Sequence, residues 1–243
     1  MTQGHPGLHN RGPRTEKTRA ALIAAGRQLF SKQPVDAVTI DDIVRAAKVG
    51  KGSFYNHFAD RDALLRAISS EIRASVEHAV DLANAGVDDP ARRVARAMCV
   101  YLRCAVDDPE RARVLARIQS GVTSLAAPLN RGLVGDIAQG LSAARFSVAT
   151  LEAGVLCVLG VTQIALVRVL EDPASGIVVT LAQQMCALTL RGLGIDAADA
   201  DRIAAQASDE IVRQGADAAD QDGKAETIAA KRIAKLAPKK RAG

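Results

Sequence analysis

The twenty residues from Thr39 to Phe58 constrain this chain more than any other stretch. In its first half, Ile40, Ile43, Val44 and Ala47 fall at i, i+3, i+4 and i+7, which puts four apolar groups on one helical face. Thr39 can cap that helix with its hydroxyl. Asp42, three residues on, occupies the reciprocal position of a capping box and faces the positive end of the helix dipole. Gly50, two residues after the expected end at Lys48, supplies the permissive backbone that a tight turn between crossing helices requires. A second helix starts near Lys51. Two short helices and a tight turn make a helix-turn-helix.

On a wheel of about 100° per residue, Phe54 and Phe58 share one face of the second helix. Gly52, Ser53 and Asn56 share the opposite face, and Lys51 with Tyr55 forms a shoulder. Small polar groups flanked by a cation and a phenol suit a DNA major groove. Ser and Asn hydrogen-bond base edges, Lys and Tyr reach phosphate oxygens, and a glycine lets backbone approach a duplex closely. The same pattern also fits an ordinary helical hairpin whose polar side faces water, and the wheel alone leaves both readings open.

The run Lys51-Gly52-Ser53-Phe54-Tyr55-Asn56-His57-Phe58, followed by Asp60-Arg61-Asp62-Ala63-Leu64-Leu65, resembles the DNA-binding signature of the tetracycline-repressor-like (TetR) family. The likeness runs from about Arg14 to Leu65, with the preceding Thr-Ile-x-x-Ile-x-x-Ala-Ala helix in register. It implies a homodimeric, ligand-responsive transcriptional repressor. In such a protein an N-terminal three-helix domain binds a palindromic double-stranded DNA operator and a variable C-terminal domain binds a small molecule. By position, the resemblance places Thr39, Lys51, Gly52, Ser53, Tyr55, Asn56 and His57 at the DNA, and Arg61 where the family often has a Lys touching backbone phosphate. Gly50 departs from the pattern, standing where a Ser or Thr commonly caps the recognition helix.

Upstream, Leu22, Ala25, Gly26, Leu29 and Phe30 keep helical rhythm from Thr15 until Pro34 breaks it. Phe30, Phe54 and Phe58 are three of the four Phe residues in the chain and form the expected core behind the second helix. Residues 1–13 hold too many Gly and Pro for a helix and read as an arm, with Arg11 and Arg14 placed to reach a minor groove. Downstream, Asp60 is a plausible cap for a long helix with its apolar stripe at Leu65, Ile68, Ile72, Val76, Ala79 and Ala83. The net charge of +5 belongs to the end of the chain. Residues 224–243 carry seven cations and one carboxylate, which leaves the rest at −1. Such a tail is either solvated and disordered or a sequence-independent phosphate attractor.

Beyond the boundary at Gly86 to Pro90, helices are expected at about 90–107, 109–121, 128–144, 149–171, 174–193 and 196–214, with Pro109, Pro128 and Pro173 at junctions. With no strand alternation, no repeat and no Trp, the fold class is all-α. The expected organisation is an arm (1–13), a helix-turn-helix domain (14–59), a larger helical-bundle domain for ligand binding and dimerisation (60–214) and a basic tail (215–243). Ala153 to Leu170 is long enough to invite a transmembrane reading. Thr162, Gln163 and Arg168 interrupt it and amphipathic helices flank it, so a core helix is expected, with no membrane partner. Two helices apolar on most faces need more cover than one small domain supplies, which places a homodimer interface on about 149–193.

Tyr101, Gln119, Thr162 and Gln163, with Arg103 and Ser120, are the polar positions that would suit an aliphatic effector pocket with a few orienting contacts. Cys99, Cys104, Cys157 and Cys186 match no metal spacing, the four His residues do not cluster, and no cofactor or metal is expected. GxSxG, P-loop and GxGxxG signatures are missing, so no enzyme is indicated. Without a signal segment the expected location is the cytoplasm. The expectation is therefore a dimeric, effector-released repressor. The rivals are a constitutive or architectural DNA-binding protein and an all-α enzyme retaining a helix-turn-helix.

Overall fold

Helices make up every element in the described residues, 13–117, 123–173 and 175–214 of this computed structural model. In order they are α1 (Pro13–Lys32), α2 (Ile40–Ala47), α3 (Lys51–Tyr55), α4 (Arg61–Ala83), α5 (Pro90–Asp107), α6 (Pro109–Arg117), α7 (Arg131–Ser142), α8 (Leu151–Glu171), α9 (Ser175–Gly192) and α10 (Ala197–Ala207). Short 3-10 turns occupy Val35–Ala37 and Pro128–Asn130, and a π-helical turn occupies Ser208–Arg213. Residues 1–12 of the expected arm and the whole expected tail lie outside the described residues, as do Arg11, Gln119 and Ser120, while Pro13, expected to close the arm, opens α1.

Two compact units result. Of the described residues, 13–75 and 108–117 form the first and the remainder the second. The first owes its shape to aliphatic and Phe side chains from four sequence-distant places: Leu22 and Phe30 of α1, Ile43 of α2, Phe54 of α3, and Leu64 and Ile68 of α4, all at most 1% exposed. Burial of one such side chain stabilises by about 1.5–3 kcal/mol. A Cβ on Gly26 would stand 2.8 Å from Ile68 Cδ1 and 3.0 Å from Leu64 Cδ2, so this glycine lets α1 and α4 pack closely. Helix α6 joins the unit from far along the chain. Its Arg117 Nη1 donates to the carbonyls of Phe30 (2.5 Å) and Gln33 (2.8 Å), and Glu110 receives Arg27 Nε at 3.2 Å. The last carbonyls of α1, which the helix cannot satisfy itself, thereby find a donor.

In the second unit α5 is the central helix. It buries Val94, Ala95, Met98, Cys99, Leu102 and Ala105, and α7, α8, α9 and α10 pack around it. Cys99 and Cys186 of α9 bring their sulfurs to 3.8 Å in the core, where the hydrogen bond with the Cys99 thiol, and then burial, push the Cys186 thiol well up. The loop before α8 is anchored by Arg145, which grips Asp89 with two 3.1 Å bonds and Asp199 with one of 2.7 Å. Thr150 caps α8 by accepting from the Ala153 N–H at 3.1 Å, and Asp196 caps α10. Asp136 is buried and its carboxyl is raised by desolvation, although Arg93 Nε bonds it at 2.6 Å.

Two expected boundaries need correction. The chain does not begin an α-helix at Pro128. The Asn130 amide, almost fully buried, donates back to Ser124 O at 2.9 Å while its N–H bonds Ala127 O, and this local closure competes with helix until Arg131. At the other end the 196–214 helix changes to a π turn after Ala207, where the Ala205 carbonyl already accepts from both the N–H and the hydroxyl of Ser208.

Candidate nucleic-acid interface

Thr39 begins the site with a complete capping box: its Oγ1 accepts from the Asp42 N–H at 3.2 Å and its own N–H donates to Asp42 Oδ2 at 3.2 Å. The Thr39 hydroxyl also donates to that carboxylate at 2.6 Å. These bonds hold the Asp42 carboxyl below the usual carboxylate range, with Arg45, 3.2 Å away, adding to the effect. Helix α2 ends in a Schellman closure. The Val49 N–H bonds Val44 O, the Lys48 N–H bonds Arg45 O, and Lys48 takes a left-handed conformation at φ 56°, ψ 42°. The conformational demand of the turn therefore falls on Lys48 and not on Gly50, which sits in extended backbone at φ −76°, ψ 153° as the unassisted N-cap of α3.

Helix α3 is only five residues long, shorter than the expected two turns. The bonds Asn56 N–H to Gly52 O and Phe58 N–H to Phe54 O continue its spiral to Phe58. The two faces separate as the wheel predicts. Phe54 is fully buried and Phe58 nearly so, with ring centroids 5.8 Å apart, and Arg19 of α1 lies over the Phe58 ring at 5.6 Å. Lys51, Gly52, Tyr55 and Asn56 are exposed, and Ser53 and His57 are half-buried. Tyr55 is 53% exposed and meets Phe54 edge-on at 5.6 Å, so packing holds the base of its ring and leaves the hydroxyl to solvent.

Gly52 has no internal justification. A Cβ there meets nothing within 4 Å and its backbone is ordinary helix, yet a glycine inside a helix costs about 0.5–1 kcal/mol relative to alanine. Arg61 is drawn inward. Its Nη1 donates to the carbonyls of Val35, Asp36 and Val38 at 3.3–3.4 Å, and its Nε and Nη2 reach Asp62 at 3.2 Å. It thereby ties the approach to α2 onto the start of α4, where Asp60 accepts from the Ala63 N–H as a cap. Lys51 is also engaged, its ammonium 2.9 Å from Asp41 Oδ1, which raises its pKa above the ordinary lysine value. Sequence reasoning passed over Asp41 and Arg19; the charge balance of this stretch pointed to the first, whereas only the packed fold reveals the second.

The four positions expected at an effector pocket are not alike. Tyr101 Oη donates to Glu77 at 2.6 Å, and Thr162 turns its hydroxyl onto Val158 O of its own helix at 2.7 Å. Gln163 is half-buried on α8, and Gln119 lies outside the described residues. Arg103 ties α5 to the π turn through the carbonyls of Ile211 and Val212. A shallow surface cleft lined by Arg92, Arg96, Ile203, Gln206 and Ala207 encloses essentially no space, whereas a ligand site usually offers several hundred Å³. No cluster of three or more metal-ligating side chains occurs among the described residues.

Comparison with known proteins matches residues 22–68 to a family model described as bacterial regulatory proteins of the tetR family, and residues 89–206 to the tetracyclin repressor-like C-terminal domain. The HTH-type transcriptional regulator HbdR of Aromatoleum sp. (strain CIB) is 35% identical over 102 residues, 42% of this chain and 44% of HbdR. The HTH-type transcriptional repressor DhaR of Mycobacterium sp. (strain GP1) is 33% identical over 78 residues, 31% of this chain and 39% of DhaR. Thus the matched stretch covers less than half of either relative. Among solved structures, RolR in complex with resorcinol is 30% identical, covers 79% of this chain and 94% of its own, and has a TM-score of 0.56. A TetR-family transcription regulator from Shewanella sp. PV-4, 16% identical over 72% of this chain and 97% of its own, shares the fold with a TM-score of 0.64.

Proposed function

Because this chain belongs to the TetR family of bacterial regulatory proteins, we propose that it is a ligand-responsive repressor that binds a palindromic operator as a dimer in the cytoplasm and is released by a small-molecule effector. The observation that carries the DNA-binding part is the sidedness of α3. Phe54 and Phe58 are sealed behind it, Lys51, Tyr55 and Asn56 are presented in front, and Gly52 makes a bare stretch of backbone that nothing inside the protein needs. Asn56 and Ser53 read base edges; Lys51, Tyr55 and His57 take phosphate; Gly52 allows close approach; Thr39 presents the capped start of α2. Arg61 acts with them by holding that start in place, besides its expected place near phosphate.

Dimerisation is supported by the outward face of α8. Its inward side buries Val155, Val158, Ala165, Leu166 and Val169. Ala153, Leu156, Gly160, Ile164 and Val167 recur at helical spacing on the exposed side, with Ile164 69% exposed, and α9 adds exposed Ile177 and Leu188. Leu151–Glu171 is long and apolar enough to cross a membrane, and one third of that apolar window is buried within its own chain. A second copy covering residues 149–193 removes this surface from water, and each large side chain covered contributes about 1–2 kcal/mol. Two recognition helices then meet successive major grooves about 34 Å apart. An effector that binds the differently spaced conformation more tightly releases the operator, whereas one that binds both equally does nothing.

Titration of the full-length protein onto its own promoter duplex, followed by gel shift, tests the reading. The resorcinol held by RolR supports small hydroxylated aromatics as the first effectors to add, with Tyr101, Thr162, Gln163 and Gln119 as pocket positions to mutate. Sequence-specific binding at nanomolar protein, lost on addition of an effector, is the expected result. Affinity that ignores sequence and follows salt alone selects the architectural rival.

A further inference from the structure

Among the acids of α2, Asp41 has no role in the cap, which Thr39 and Asp42 complete by themselves. Its carboxylate lies instead against the ammonium of Lys51, the first residue of α3, at 2.9 Å, with the two side chains 61% and 54% exposed. The neighbouring cations are treated alike: Arg45 pairs with Asp42, and Arg61 with Asp62 and Asp36. Residues 34–66 contain five carboxylates and five cations, so the whole stretch is neutral when His57 is uncharged. For the cations held in such pairs, Lys51 among them, a phosphate contact is gained by exchanging an internal ion pair for an external one.

We propose that Asp41 is a specificity-determining residue, whose carboxylate stands in for phosphate and holds Lys51 back from DNA unless α3 is fully seated in a groove. This rests on the reading of α3 as the recognition helix. On arbitrary DNA the protein is attracted by phosphate charge alone. Moving Lys51 to a phosphate there breaks the pair and leaves a bare carboxylate facing the duplex. At the operator, base-edge contacts from Asn56 and Ser53 bring the helix close enough for the exchange to be made up by the rest of the interface. Asp41 thereby weakens binding everywhere, and weakens it most where the sequence is wrong.

The test uses the full-length protein as wild type, Asp41→Asn, Lys51→Ala and the double variant. Fluorescence anisotropy follows binding to two labelled duplexes between 50 and 200 mM KCl. One is the sequence that the wild type enriches from a random library, and the other is a scrambled duplex of equal composition. Asp41→Asn is expected to bind the scrambled duplex about three- to tenfold more tightly, with a salt slope steeper by about 0.9, the value of one added phosphate contact. The enriched duplex is expected to change less than twofold, and the Asp41→Asn gain on scrambled DNA vanishes when Lys51 is Ala. Equal gain with and without Lys51, or equal gain on both duplexes, overturns the inference and leaves the recognition-helix reading standing. A wild type that enriches no sequence overturns both.

Discussion

Replacing Lys48 with glycine should stabilise the protein, although it removes a charged side chain from the surface. Lys48 closes α2 at φ 56°, ψ 42°, where a side chain crowds the carbonyl and a non-glycine residue loses about 1–2 kcal/mol. Glycine adopts this conformation freely and is the usual occupant of a Schellman closure. Its greater freedom in the unfolded chain takes back about 0.5–1 kcal/mol, leaving a net gain of at most about 1.5 kcal/mol and about 1 kcal/mol in the middle of the range. The lysine side chain is exposed and makes no ion pair among the described residues, so nothing offsets that gain. Thermal unfolding followed by circular dichroism reads the change as a Tm higher by about 2–4 °C in a chain of this size. Lys48→Ala is the control: it discards the same charge but keeps a Cβ in the crowded region, and should melt at or slightly below the wild type. If the glycine variant melts no higher than the alanine variant, the turn is not closed by a strained Lys48, and the assignment of the conformational demand to that residue is wrong.

Loss of the Thr39 hydroxyl in Thr39→Ala should cost about 1 kcal/mol through the missing cap, seen as a lower urea midpoint. Since the capping bonds hold the Asp42 carboxyl low, its contribution is present above the ordinary carboxylate pKa and disappears as pH falls through the lower folded value. The alanine variant should therefore lose less stability than the wild type on acidification below about pH 4. Phe54→Ala empties a fully buried site beneath α3 and should cost about 3–5 kcal/mol in chemical denaturation. Ile164→Asp places a charge on the outward face of α8 and should turn a dimer into a monomer in light scattering while leaving the helical signal intact. Tyr55→Phe should weaken binding to all duplexes alike, whereas Asn56→Ala should change base preference, and equal losses from both would place the reading face elsewhere.

Much of this was legible because apolar periodicity and capping chemistry act locally. The Thr39–Asp42 box, the stripe at Ile40, Ile43 and Val44, and the opposition of Phe54 to Asn56 all follow from spacing within one helix. What was not legible depends on partners far along the chain. Nothing about residue 61 says that its guanidinium will turn back onto the carbonyls of Val35 and Val38, because a cation beside a reading helix suits phosphate equally well. The turn misled for a different reason. Gly50 and Lys48 both lie between the helices, and glycine is the usual choice for left-handed backbone, yet the hydrogen bonds from Lys48 and Val49 back to α2 require that conformation at Lys48. Effector positions were least legible, since a polar residue on an apolar helix is equally suited to a cavity, a neighbour such as Glu77, or its own backbone as at Thr162.

The grip of Arg117 on the last turn of α1 means that the DNA-facing half of the molecule is not a detachable module. A polypeptide shortened to its first 75 residues would retain all three N-terminal helices and much of the fourth, yet would leave the carbonyls of Phe30 and Gln33 without their donor and Arg27 without Glu110. Such a fragment should fray from the end of its first helix. The contacts that complete the amino-terminal unit thus become available to a nascent chain only once translation has passed residue 117.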